Sequence, residues 1–213
     1  MMRTEELIRA LAADSKSQDP TPEHALALSV MAGIATTAAV FLTILGARPH
    51  FFALLTDPRV LFKLALMAFL ALAAGGLVVR LARPGADTTS AVLLLLSVPV
   101  LLAFANLAEL LTVPASEWTV RLIGTNAMLC LVTIPLLSVV TLAVGLAALR
   151  QGAPTHPVFA GAGAGLLAGG IGGFFYAMHC PDDSPLFVAV WYSLAIAIVV
   201  GVGAFAGSRC LRW

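Results

Sequence analysis

Six apolar runs, each about as long as a lipid bilayer is thick, constrain this chain more than any other feature. They fall near residues 25–45, 60–79, 90–108, 123–149, 158–178 and 186–207. A helix needs roughly 20 apolar residues to cross about 30 Å of hydrocarbon. Only helices and closed barrels satisfy their backbone polar groups there. Of the 213 residues, 60% are hydrophobic and 11% charged, against about 25% charged in soluble domains. The expected fold is therefore an all-α integral membrane protein, a bundle of six transmembrane helices. Residues 1–24 form a soluble tail and residues 25–213 the membrane domain. The first run follows a polar segment with five acidic residues, unlike a cleaved signal peptide.

Orientation is predicted from Lys and Arg. Arg3, Arg9, Lys16, Arg80, Arg83, Arg150, Arg209 and Arg212 lie on one side, and Arg48, Arg59, Lys63 and Arg121 on the other. Eight against four predicts both termini in the cytoplasm. A formal net charge of +1 argues against nucleic acid as a partner, because phosphate binding needs a basic surface. Three cysteines without a C-x-x-C pair argue against a zinc ribbon or thioredoxin-type site. No cofactor is expected.

Within the tail, Thr4 can cap a short amphipathic helix with Glu5 and Glu6 in its first turn. Leu7, Ile8 and Leu11 share one apolar face. So short a helix is marginal alone in water, and it either frays or folds onto a partner. In the fifth run Gly161, Gly165, Gly169 and Gly173 recur at every fourth position. Such a stripe lets helix backbones approach closely and predicts that this span is central, with Gly203 and Gly207 of the sixth run opposite. A helix persisting past Gly173 puts Cys180, two turns on, on the same inward face.

The polar residues Asn106, Glu109, Thr125, Asn126, Cys130, Tyr176 and His179 gather toward the predicted outer half, and the inner half reads as Leu, Ala, Val and Gly. This predicts an outward-facing polar cavity. The bland reading is interhelical glue for the asparagines and a boundary residue for Glu109. Cys130 stands nine residues past Arg121, about 13 Å along a helix axis, and Cys180 sits at the outer end of the fifth span. Their depths permit a disulfide if the loop dips inward. Cys210, at the opposite end of the sixth span, cannot join them. Alone, Cys130 reads as a small buried hydrophobe. Cys180, beside His179 and before Pro181-Asp182-Asp183, reads as functional: an imidazolium favours the thiolate and the carboxylates oppose it. Pro135, five residues after Cys130, marks a bend.

The tail Thr4-Glu5-Glu6-Leu7-Ile8-Arg9-Ala10-Leu11, Cys130, the loop His179-Cys180-Pro181-Asp182-Asp183-Ser184-Pro185, Trp191-Tyr192 and the ending Arg209-Cys210-Leu211-Arg212-Trp213 resemble the NrsF family of six-span anti-sigma factors. The resemblance implies an inner-membrane protein, not an enzyme, that binds an extracytoplasmic-function sigma factor at its cytoplasmic face. It implies that Cys130 and Cys180 sense oxidants or heavy metals, with His179 as a third candidate metal ligand. The partner-binding face would be Leu7, Ile8 and Leu11, since the chain lacks the H-x-x-x-C-x-x-C zinc motif of soluble anti-sigma domains. Two other classes stay open on the residues alone. A small metal or ion transporter needs polar groups through the full membrane depth, and a membrane thiol oxidoreductase needs a second redox pair.

Overall fold

A computed structural model describes residues 4–6, 8–9, 22–83, 85–152 and 154–211. Residues 4–6 and 8–9 are helical, and the Ile8 side chain is exposed. Leu7 and Leu11, the other two residues of the expected partner-binding face, lie outside the described residues. The remaining helices are α1 (Pro22–Val40), α2 (Phe51–Leu54), α3 (Pro58–Leu81), α4 (Thr89–Thr112), α5 (Ala115–Ile123), α6 (Ala127–Leu149), α7 (Pro157–His179), α8 (Pro185–Phe187) and α9 (Ser193–Cys210). Wider π turns extend α1 over Phe41–Leu45 and join α8 to α9 over Val188–Tyr192. Six helical segments are long and apolar enough to cross a membrane: Leu26–Leu45, Pro58–Leu81, Thr89–Thr112, Ala115–Leu149, Pro157–His179 and Pro185–Cys210. The expected all-helical chain with six helices able to span a bilayer is present among the described residues.

The glycine stripe does what its spacing predicts. A Cβ on Gly161 would overlap the Gly203 carbonyl oxygen and lie 2.9 Å from the Gly207 Cα. One on Gly203 would strike the Gly161 carbonyl in return. The α7 and α9 backbones therefore touch directly. Glycines elsewhere on α7 serve its other neighbours. A Cβ on Gly170 would stand 2.9 Å from the Ala71 nitrogen of α3, and one on Gly172 2.9 Å from the Ile134 carbonyl of α6. α7 is thus the buried axis, with α3, α6 and α9 around it and α1 against α6. α4 is peripheral, packed mainly on α3. Replacing Gly161 with Leu is expected to cost about 2–3 kcal/mol through overpacking and to lower the thermal midpoint of the purified protein by roughly 5–10 °C. Gly76→Ala, where the added methyl meets nothing within 4 Å, should leave the midpoint unchanged.

Three details go beyond the sequence reading. α7 does not persist to Cys180: it ends at His179, and Cys180 leaves it with an extended backbone at φ −72° and ψ 124°. Cys180 is nonetheless fully buried. The fourth run, placed at 123–149, is helical from Ala127, and a further helix, α5, precedes it across a turn at Gly124, whose φ is +59°. A Cβ there would also meet the Phe187 ring at 2.5 Å. Finally, the bundle is not purely apolar away from the Cys180 end. The Thr37 hydroxyl of α1 donates to the Leu137 carbonyl of α6 at 3.1 Å and pairs with the Thr141 hydroxyl at 3.1 Å. Ser138 donates to Ile134 and, across to α7, to Ala168. Such hydroxyls can satisfy carbonyls inside hydrocarbon.

Candidate functional site

The site lies where α7 ends, and its parts come from every region of the chain. The loop His179–Ser184 is short and almost wholly polar, so each of its groups must find a partner as it crosses the buried end of the bundle. The partners come from several elements. The His179 Nδ1 faces the Gly46 carbonyl oxygen at 3.0 Å, just after the first span. The Cys180 carbonyl accepts from Lys63 Nζ of α3 at 2.9 Å and from Arg48 at 3.4 Å. The Asp182 carboxylate caps the start of α6, accepting from the backbone N–H of Thr125 at 3.1 Å and of Asn126 at 2.9 Å. Its charge suits the positive end of that helix. Asp183 pairs with Arg48 at 2.8 Å and with Lys63 at 2.5 Å. Ser184 caps α8 through the Leu186 N–H and donates to Glu109 of α4 at 2.7 Å.

Lys63 is fully buried. Its ammonium has three N–H groups to place, and it has three partners: the carbonyls of Cys180 and Asp182 and the Asp183 carboxylate. Burying a lysine is costly unless it is paired and hydrogen-bonded in this way. Glu109, only 4% exposed, is a second centre. It receives Arg121 at 3.1 Å and lies 3.6 Å from Arg59. Glu109 is therefore an ion-pair centre and no mere boundary residue. Asn106 only bonds back to Leu102 in its own helix. Arg48, Arg59, Lys63 and Arg121, counted above only as signs of orientation, each meet an acid here. A polar cavity of about 380 Å³ lies over this network, lined by Asp57, Arg59, Arg121, Thr125, Asp182 and Asp183.

Beneath the ionic layer lie the thiols. Cys130 of α6 and Cys180 are both free and fully buried. They belong to one apolar cluster with Val60, Tyr176, Phe187 and Tyr192. Burial pushes the Cys180 thiol up from its ordinary value, an effect that the nearby Lys63 ammonium only partly offsets. At neutral pH Cys180 is thus a thiol, which resolves the sign left open by its His and Asp neighbours. His179 turns instead toward Leu45, Leu129 and Thr133, where it lines an apolar pocket. Among the described residues, no three His, Cys, Asp or Glu side chains stand together as a metal site. A metal held by Cys130, Cys180 and His179 would need this loop to rearrange. Cys210 is exposed at the far end of α9.

Residues 11–213 match the NrsF family model, described as negative regulator of sigma F. The chain belongs to the NrsF family. Similarity to individual members runs end to end. The anti-sigma-F factor NrsF of Caulobacter vibrioides is 36% identical over 216 residues, covering 100% of both chains. The probable anti-sigma-F factor NrsF of Azospira oryzae is 34% identical over 214 residues, again covering 100% of both. No solved structure matches this NrsF chain. Sequence reasoning singled out Cys130, Cys180 and His179. It missed Lys63 and Asp183 as a pair, although a lysine inside a predicted span was a signal in plain view.

Proposed function

We propose that this protein is a membrane-bound anti-sigma factor of the bacterial inner membrane, and not an enzyme. It sequesters an extracytoplasmic-function sigma factor at its cytoplasmic face and releases it when Cys130 and Cys180 are modified. The observation that carries the anti-sigma reading is the full-length likeness to the anti-sigma-F factor of Caulobacter vibrioides. Both termini are cytoplasmic and the His179–Pro185 loop is periplasmic, a reading supported by the eight-to-four distribution of Lys and Arg. The neutralisation of all four minority cations by Asp183 and Glu109 agrees with it.

The chemistry follows from the thiols. An oxidant that takes two electrons and two protons from Cys130 and Cys180 leaves a disulfide between α6 and the loop after α7. A thiophilic cation that displaces both protons bridges the same two sulfurs. Either event moves Cys180, whose carbonyl is held by Lys63 and Arg48, and so pulls on the clasp. α6 and α7 share the connection near Arg150–Pro157 at the opposite end, where the tail also lies in this topology. A tilt about Pro135 would carry the change there.

The deciding experiment measures sigma-factor release from membranes before and after oxidant or cadmium. A tenfold loss of partner affinity would correspond to a coupling of about 1.4 kcal/mol. Cys130→Ser and Cys180→Ser should each abolish release, and the double variant should add nothing. Cys210→Ser should respond normally. A Cys130→Ser protein that responds like the wild type would return Cys130 to a packing role and end the paired-sensor reading.

A further inference from the structure

The apolar segment Ala115–Leu149 has 35 residues, more than one membrane crossing uses. α6 alone, with 23 residues, measures about 34 Å at 1.5 Å per residue, enough for roughly 30 Å of hydrocarbon. α4, with 24 residues, is long enough by the same count. α5 is therefore surplus to both spans. It sits between their ends, joined by residues 113–114 on one side and by residues 124–126, with the Gly124 turn, on the other. Its 9 residues are amphipathic, and none of them is buried. Glu117 and Arg121, one turn apart, pair at 2.9 Å on one side. Trp118, Leu122 and Ile123 fall on the other side by helical spacing, and all three are exposed. Exposed apolar side chains continue past α5 in both directions, through Leu111 of α4 and Met128 of α6.

The polar side of α5 is committed to the ionic end. Arg121 meets Glu109 at 3.1 Å, and the same carboxylate accepts from Ser184. The Leu122 carbonyl accepts from Trp191 Nε1 at 2.9 Å. Directly after α5, the backbone N–H groups of Thr125 and Asn126 are held by Asp182. α5 also packs on α8. These contacts leave the Trp118, Leu122 and Ile123 face uncovered, and the Trp118 indole N–H donates only to the nearby Val113 carbonyl, at 3.0 Å. Water is a poor medium for that face, and hydrocarbon is a poor one for Glu117 and Arg121. The boundary between headgroups and acyl chains suits both, and tryptophan is favoured there. We propose that α5 lies along the outer surface of the bilayer as an interfacial helix, its Trp118, Leu122 and Ile123 face resting on the acyl chains of that leaflet, and that it ties the His179–Ser184 loop to the membrane. The proposal rests on the membrane-spanning reading given above. It makes the lipid surface one more support of the clasp: a leaflet that loosens under α5 slackens the Arg121 pair and the Asp182 cap together.

The test is the depth of Trp118 in the full-length protein in phospholipid nanodiscs. The lipid carries a nitroxide quencher either just below the headgroup or near the end of one acyl chain. The fluorescence of the wild type less that of Trp118→Phe isolates this indole from Trp191 and Trp213. The shallow probe should quench it at least about twofold more than the deep one, as for a helix seated at the headgroup boundary. Stronger quenching by the deep probe puts α5 in the hydrocarbon and overturns the proposal. Quenching by neither puts it in water and overturns it too. The fluorescence that remains in Trp118→Phe separates the two readings: if it is quenched, only the interfacial helix fails, and if it also escapes both probes, the membrane reading fails with it. Amide exchange reads the tie to the loop. Trp118→Ser with Ile123→Ser removes the apolar face and keeps the Glu117–Arg121 pair. Exchange of the Thr125 and Asn126 amides, which Asp182 holds, should then rise about tenfold in nanodiscs. Both replaced side chains are exposed in the chain itself, so the rise reports lost lipid contact. Unchanged exchange at both amides would overturn the tie.

Discussion

Asp183→Ala is expected to destabilise the protein far more than Lys63→Met, although the two residues form one ion pair. Removing Asp183 leaves Lys63, which is 0% exposed, and Arg48, which is 10% exposed, as two cations with no carboxylate between them. Stranding a buried charge costs about 3–5 kcal/mol. Because Asp183 itself is 18% exposed, the lower figure applies, and the thermal midpoint should fall by roughly 6–12 °C. Removing Lys63 instead leaves Asp183 paired with Arg48, and a methionine of similar volume fills the space. The remaining cost is the unmet hydrogen bonds at the Cys180 and Asp182 carbonyls, about 1 kcal/mol each at the low end of the usual range, since Arg48 still reaches Cys180 and the Asp182 bond is only part-buried. Thermal unfolding of the two variants and the double variant in one detergent checks this. Equal losses for the two single variants would mean that Lys63 is not held as a buried charge.

Leu7→Asp with Leu11→Asp is expected to abolish sigma-factor capture while the protein still inserts and folds. Helical spacing predicts one apolar face for Leu7, Ile8 and Leu11, and the Ile8 side chain is 60% exposed. An amphipathic helix lying in a groove is a recurrent recognition mode. A buried anchor at such an interface is worth about 2 kcal/mol or more. Two anchors turned into acids would cost at least about a hundredfold in affinity. Co-purification of the sigma factor with membranes carrying each variant is the measurement. Undiminished capture would move the binding surface away from the tail.

The spans were legible because hydrocarbon imposes length and composition together, and the α7 axis because glycine at every fourth position has few other uses inside a membrane. The ionic end was only half legible. Lys63 stands at the fourth position of the run that begins near residue 60, where an ionisable side chain needs a partner. Its acids were visible too, in Asp182-Asp183. What no local pattern joins is a lysine and an aspartate separated by 120 positions, and both sit where charges often only mark a membrane boundary. Glu109 was ambiguous for the same reason, its partners coming from α3 and α5. The break at Gly124 was hidden because a glycine in an apolar run looks like packing, and only its positive φ reveals a turn. Tyr176 was legible only as one polar residue of the outer half, and Tyr192 only beside Trp191. That both rings are buried together, with centroids 5.8 Å apart, is a property of the fold and cannot be seen in the letters.

The seam between α7 and α9 has a mechanical meaning. Where two helices meet through side chains, one can slide while rotamers adjust and absorb the motion. At Gly161 and Gly203 there is no such cushion, because main chain rests on main chain. Two helices joined this way behave as one stiff rod. A displacement of α7 at that contact is therefore shared by α9.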